Sequence, residues 1–232
     1  FYKMNISTWS KLPYKKISNW RLGKIYGVHQ MMFDLGNGAV GGLKQEELIK
    51  KFKVMEEVFD LVMIAEQFDE SLVLLKHLMC WTTEDIAYLK INSREEKNKI
   101  TFSEETKNRL LKLDNPDVLL YDFFKKKFQE KVEAFGIEKM RLEIEKLRSE
   151  NERIAKTCLD KQANQNEVSG LLKPKNNKVQ AWMIKNNSTE CLDLVMNEID
   201  FIDKLRQRQC SGNCKGPESY RINIKETLHT AD

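Results

Sequence analysis

Residues 59–81 read FDLVMIAEQFDESLVLLKHLMCW, and the reading of this stretch decides the fold. Residues 61–65 are a short apolar run with β-branched Val62 and Ile64, bounded by Asp60 and Glu66. The run is too short for a helix and matches a strand covered on both faces. The period then changes. Asp69 suits an N-cap, Glu70 and Ser71 suit a first turn, and Leu72, Val73, Leu74, Leu75, Leu78 and Met79 follow. A helix apolar almost all round belongs in an interior. A buried strand would thus feed a buried helix. A parallel sheet gathers ligands at the carboxyl ends of its strands, which would bring Glu66, Gln67 and Asp69 to a site. In the plainer reading Glu66 only ends the strand and Asp69 only caps the helix.

Upstream, Gly36, Gly38 and Gly41 spell G-x-G-x-x-G, between a candidate strand at 29–35 and a helical pattern over 43–58. Glu66 then falls where a dinucleotide fold wants its ribose-binding acid. Two features oppose that assignment. Asp34 would aim negative charge at the pyrophosphate, and LKQEELIKKF lacks the small residues that let such a helix sit close to a sheet. The glycines are read as a surface loop before an amphipathic helix.

Residues 1–30 carry Lys3, Lys11, Lys15, Lys16, Arg21 and Lys24 with no acid, interleaved with Tyr2, Trp9, Tyr14, Trp20 and Tyr26. Aromatics and cations together suit nucleic acid, an anionic cofactor or substrate, or a solvated loop, and composition favours the last. The whole chain, 232 residues at net charge +4, is 41% hydrophobic and 32% charged. It can bury a substantial core, and no apolar run is long enough to span a bilayer.

After Trp81 the pattern is helical. Thr82 or Thr83 caps a short turn, residues 88–91 read as a brief extended piece, and residues 92–99 form a polar loop. Ser103, Glu104 and Glu105 open a helix to about Leu113, and Asn115 with Pro116 opens another that Gly136 ends. Ile137, Met140, Ile144, Leu147, Asn151, Ile154 and Cys158 then recur at steps of three and four. Such a stripe serves either a helix seated on its own domain or a dimer seam, and the first is preferred. Residues 160–187 read as a polar surface excursion, and 189–209 as one last amphipathic helix.

Five cysteines are present, of which only Cys210 and Cys214 lie close in sequence. With no second pair or nearby His, a zinc site is not expected. Asn5-Ile6-Ser7, Asn186-Asn187-Ser188 and Asn187-Ser188-Thr189 are N-glycosylation triplets. His77 reads as a packing residue on a buried helix, and there is no G-x-x-x-x-G-K-[ST], H-E-x-x-H or G-x-S-x-G.

Six stretches carry a resemblance. They are MMFDLG (31–36), EQFDESLVLLKHLMCW (66–81), Glu84 with Asp85, YLKINSR (88–94), KVEAFG (131–136) and NERIAKTCLD (151–160). Together, in order and spacing, they resemble the galactose-3-O-sulfotransferases, a family that includes galactosylceramide sulfotransferase, over roughly residues 1–209.

The resemblance implies an α/β fold, part of a P-loop-like sulfotransferase with a parallel sheet. This portion would be predominantly helical because the amino-terminal half, with the phosphosulfate loop and catalytic basic residues, would precede Phe1. Residues 1–209 would be the carboxyl-terminal part of the domain and 210–232 a polar tail. The implied activity is transfer of a sulfuryl group from 3′-phosphoadenosine-5′-phosphosulfate to the 3-hydroxyl of terminal β-galactose on a glycolipid or glycan. Asn92, Ser93 and Arg94 are the expected cofactor contacts, since Arg offers a planar fork and Ser a donor to phosphate or sulfate oxygens. No catalytic residue, no metal and no nucleic-acid partner is assigned. The family implies a Golgi membrane protein with a lumenal catalytic domain, held by an anchor not in these residues. The competing expectation is a non-catalytic helical interaction protein, or a homodimer, using the 137–158 stripe.

Overall fold

In the computed structural model, residues 6–12, 28–37, 40, 42–90, 101–163, 166–168, 170–173 and 181–209 are described. In chain order they form helices α1 (Ile6–Trp9), α2 (Gln30–Asp34), α3 (Gln45–Val58), α4 (Phe68–Met79), α5 (Glu104–Leu113), α6 (Asn115–Phe135) and α7 (Ile137–Cys158). Strands β1 (Leu159–Ala163) and β2 (Ala181–Ile184) follow, then helices α8 (Thr189–Val195) and α9 (Glu198–Gln209). Two compact units result. The first is Phe1–Ala87 with Lys99–Asn151, and the second is Tyr88–Asn98 with Glu152–Asp232.

The first unit is organised by α6. Pro116 sits in its first turn, where a missing N–H leaves nothing unsatisfied, and Gly136 ends it at φ +98°, a conformation that strains any other residue. Between them Leu120, Phe124, Phe128 and Val132 recur every fourth residue and are all buried. The leading half of this stripe, Leu120 and Phe124, joins Met32 of α2, Val40, and Leu48, Phe52 and Met55 of α3. The trailing half, Phe128 and Val132, joins Ile64, Val73 of α4 and Met140 of α7.

The parallel sheet expected at residues 61–65 is not present among the described residues. Residues 61–64 have no regular structure and lead into a 3₁₀ turn at Ala65–Gln67. Ile64 is extended, but its backbone is satisfied locally. The Ser71 hydroxyl accepts from Ile64 N–H at 3.0 Å and donates to the Ile64 carbonyl at 3.2 Å. One buried side chain thus does what a neighbouring strand would do.

Helix α4 also departs from expectation. It buries Ser71, Val73 and Lys76, whereas Leu78 and Met79 are 50% and 49% exposed. Gln67, not Asp69, occupies its N-cap, and the Asp69 carboxylate instead accepts from Arg148 Nε at 2.8 Å.

The strand proposed for residues 29–35 is helix α2, so the strand–loop–helix context of a dinucleotide site does not form. The cause lies in α6 and the residue before it. The Asp117 carboxylate accepts from Met31 N–H at 2.9 Å and Met32 N–H at 3.0 Å, and Asp114 accepts from His29 N–H at 2.7 Å. Acceptors placed at the first N–H groups of a short segment favour a helical turn over a strand.

Helices α5, α6 and α7 start and stop where residue patterns place them, with Ser103 capping α5 by accepting from Thr106 N–H at 3.3 Å. The stripe on α7 is seated on its own chain. Met140, Leu147, Ile154 and Cys158 are all buried.

In the second unit the supposed polar excursion is bracketed by a two-stranded antiparallel sheet. Gln162 pairs with Trp182 and Ala163 with Ala181, and an irregularity separates Leu159 from Gln162. A disulfide joins Cys158 to Cys191, both buried, across 33 residues. Neither cysteine was singled out by spacing, because only the hairpin brings them together. The expected final helix is two, since Met196 is extended and the Asn197 side chain accepts from Asp200 N–H at 3.2 Å to start α9.

Candidate functional site

Of the residues expected at a site, Asn92, Ser93 and Arg94 lie outside the described residues, as do most of the basic residues of the first thirty, Cys210 and Cys214. Glu66 is exposed on the 3₁₀ turn before α4, and Gln67 and Asp69 follow it. The structure brings Asp69 to Arg148, placing the start of α4 beside α7.

Two turns further along α4 is a polar cluster that periodicity did not reveal. Lys76 points inward, its side chain 10% exposed, and its ammonium donates to Glu143 of α7, whose side chain is 11% exposed. Lys146 donates to the other Glu143 oxygen at 2.7 Å, and Thr83 lies 3.5 Å from the Lys76 ammonium. His77 Nε2 is 3.6 Å from Glu143, and its ring meets Phe135 at a centroid distance of 4.8 Å. Lys139 covers the same Phe135 ring at 4.2 Å, in cation–π geometry.

The two lysine hydrogen bonds, with the charges behind them, hold the Glu143 carboxyl at about 2, well below the usual carboxylate range. A carboxylate that acidic is a poor proton acceptor. Its chemistry here is to neutralise and position Lys76, which would otherwise be an unpaired cation in a mostly buried place. The sequence signal that could have found it is Lys76 itself, a charged residue on the buried stripe Ser71, Val73, Lys76 of a helix otherwise read as apolar.

A second feature is a groove of about 220 Å³ between α3 and α6, floored by Phe59, Val62, Phe124 and Phe128. At its rim Lys127 is paired at 3.2 Å to both Glu56 and Glu130, which raises its pKa. Lys131 lines the same rim, so the groove has an apolar floor and an edge of mixed charge. Among the described residues no helix is long and apolar enough to cross a membrane.

Comparison with known proteins supplies what the geometry alone does not. A family model described as galactose-3-O-sulfotransferase matches residues 11–209. Galactosylceramide sulfotransferase of Bos taurus is 39% identical over 130 residues, 56% of this chain and 31% of that protein. Galactose-3-O-sulfotransferase 3 of Mus musculus is 30% identical over 188 residues, covering 73% of this chain and 43% of its own length. Galactose-3-O-sulfotransferase 2 of Homo sapiens is 31% identical over 139 residues, 60% of this chain and 35% of that protein. The chain therefore spans less than half the length of these curated relatives. No solved structure matches it.

Proposed function

Because the chain belongs to the galactose-3-O-sulfotransferase family, we propose that it is part of an enzyme that sulfates the 3-hydroxyl of a terminal β-galactose on a glycolipid or glycan. The donor in this reading is 3′-phosphoadenosine-5′-phosphosulfate. The observation that carries the proposal is the continuous family match from residue 11 to residue 209. Residence in the Golgi membrane with the catalytic domain in the lumen belongs to the same proposal, and the Cys158–Cys191 disulfide supports an oxidising compartment.

Transfer requires the galactose oxygen to form a bond to sulfur while the bond from sulfur to the donor's 5′-phosphate breaks. A base takes the hydroxyl proton, and cations meet the equatorial oxygens and the leaving phosphate. By analogy with phosphoryl transfer, positioning and electrostatics supply most of the acceleration. In our reading Arg94 pairs with phosphate or sulfate oxygens through its fork, and Ser93 and Asn92 add neutral donors. The first unit is the scaffold. Its α4–α7 ion pairs, Lys76 with Glu143 and Asp69 with Arg148, hold α4 against α7, with Thr83 beside the Lys76 ammonium. The 232 residues alone are proposed not to transfer sulfate.

The test is sulfate transfer from labelled donor to galactosylceramide and to a β-galactosyl disaccharide, by the full-length protein and by this chain. Transfer by the first and none by the second is expected. No transfer by folded full-length protein with both acceptors saturating would overturn the enzyme reading in favour of a helical interaction protein. In the active protein Arg94→Ala should lower kcat/KM by about tenfold or more with the fold intact, roughly 1.4 kcal/mol of lost binding. Unchanged kinetics would remove Arg94 from the site.

A further inference from the structure

We propose that Asn187 is an N-glycosylation site and that its overlapping neighbour Asn186 is not. Both triplets, Asn186-Asn187-Ser188 and Asn187-Ser188-Thr189, fit the acceptor pattern, one ending in Ser and one in Thr. The fold separates them. Helix α7 ends at Cys158, leaving its last carbonyls without partners in the helix, and residues 185–186 supply them. Lys185 N–H donates to the Cys158 carbonyl at 2.8 Å and the Lys185 ammonium to the Lys156 carbonyl at 2.7 Å. The Asn186 amide completes the set, donating from Nδ2 to the Thr157 carbonyl at 3.4 Å while Oδ1 accepts from Ser188 N–H at 3.0 Å. Both ends of the Asn186 side chain are committed, and a sugar on Nδ2 would crowd the end of α7.

Asn187 is exposed, as Asn186 is, but differs from it in its side-chain bonding. It stands one residue before Ser188, the N-cap of α8, whose hydroxyl accepts from Cys191 N–H at 3.3 Å. No side-chain hydrogen bond of Asn187 ties it to the fold among the described residues, so a glycan there would leave the cap, the hairpin and the disulfide intact. The disulfide four residues away is chemistry of the compartment in which such glycans are added.

In the step itself the Asn187 Nδ2 attacks the anomeric carbon of an oligosaccharide carried on a lipid pyrophosphate. The carbon–oxygen bond to the pyrophosphate breaks as the carbon–nitrogen bond forms. One amide proton passes to the released lipid pyrophosphate, and nothing is oxidised or reduced.

The inference rests on the proposed passage through the secretory pathway, and its test supplies that passage separately. The protein is sent through the secretory pathway of mammalian cells behind a cleavable leader. Glycans are then removed enzymatically in heavy-oxygen water, which marks each formerly glycosylated Asn as a labelled Asp in peptide mass spectra. The label is expected on Asn187 in the parent and in Ser188→Ala, which keeps the second triplet and destroys the first. It should vanish from this peptide in Thr189→Ala, which does the reverse, with the Cys158–Cys191 peptide still linked without reductant. Label on Asn186, label persisting in Thr189→Ala, or the recovered parent peptide carrying no label would each overturn the proposal. Sulfate transfer is measured independently, so failure of the site and failure of the enzyme reading give different results.

Discussion

The two units of this chain are held together by different means. In the first, α6 carries a four-residue stripe of large apolar side chains, and each half of it closes a separate cluster, one with α2 and α3 and one with α4 and α7. Among the described residues of the second, the buried apolar side chains are mostly small: Ile154, Cys158, Val168, Ala181, Cys191 and Val195. Two of these six are the disulfide partners, and the end of α7 is fastened to the hairpin by hydrogen bonds from Lys185 and Asn186. Small side chains bury little area each, and a covalent link adds stability by constraining the unfolded chain. The contrast predicts where each kind of damage should be felt.

The largest effect is expected from Phe128→Ala. Phe128 is 1% exposed at the centre of the trailing cluster, and removing its ring should cost about 3–5 kcal/mol in denaturant unfolding. Hydrogen exchange should show the loss in α4 and α6. A cost below about 1 kcal/mol would show that the α6 stripe is not the core it resembles.

Next is the disulfide. Replacing Cys158 and Cys191 together by Ser should cost about 2–4 kcal/mol, with lost protection confined to β1, β2 and α8. Equal loss throughout α6 would break the distinction between the units. Asp117→Ala should cost about 1–3 kcal/mol, because the buried Met32 N–H and the Met31 N–H both lose their acceptor. Fraying of α2, read by exchange at residues 31 and 32, is the signature that separates this from a general loss.

The smallest effect concerns pH. Glu143 is held near 2 in the folded chain by Lys146 and Lys76, against an ordinary value of 4.5. A depressed carboxyl contributes stability that is complete above the unfolded value and lost as pH falls through the folded one. Glu143→Gln should therefore be less stable than the parent by about 1 kcal/mol at neutral pH. That gap should hold down to about pH 5 and close between about 4.5 and 2. A gap independent of pH would mean that the ion pairs add nothing beyond hydrogen bonding.

Local signals determined much of this protein. Pro116 and Gly136 bound α6, Ser103 caps α5, and the three-and-four spacing of Met140, Ile144, Leu147, Asn151, Ile154 and Cys158 marks the inner face of α7. Each of these depends on residues within a few positions of one another. The six motif stretches likewise carried the family in their order and spacing, which the match over residues 11–209 bears out.

What only the tertiary structure decided are the places where distant groups compete with local preference. Residues 61–64 have the composition of a buried strand, yet Ser71 satisfies Ile64 in place of a partner strand. Residues 29–35 read as a candidate strand, yet Asp114 and Asp117, some eighty-five positions away, cap them as helix. Lys76 is a charge on the buried side of α4 until Glu143, 67 residues on, accounts for it, and Cys158 finds Cys191 only through the hairpin between them. A periodic pattern records which face of an element is buried. It carries no record of which remote carboxylate, hydroxyl or thiol will meet that face.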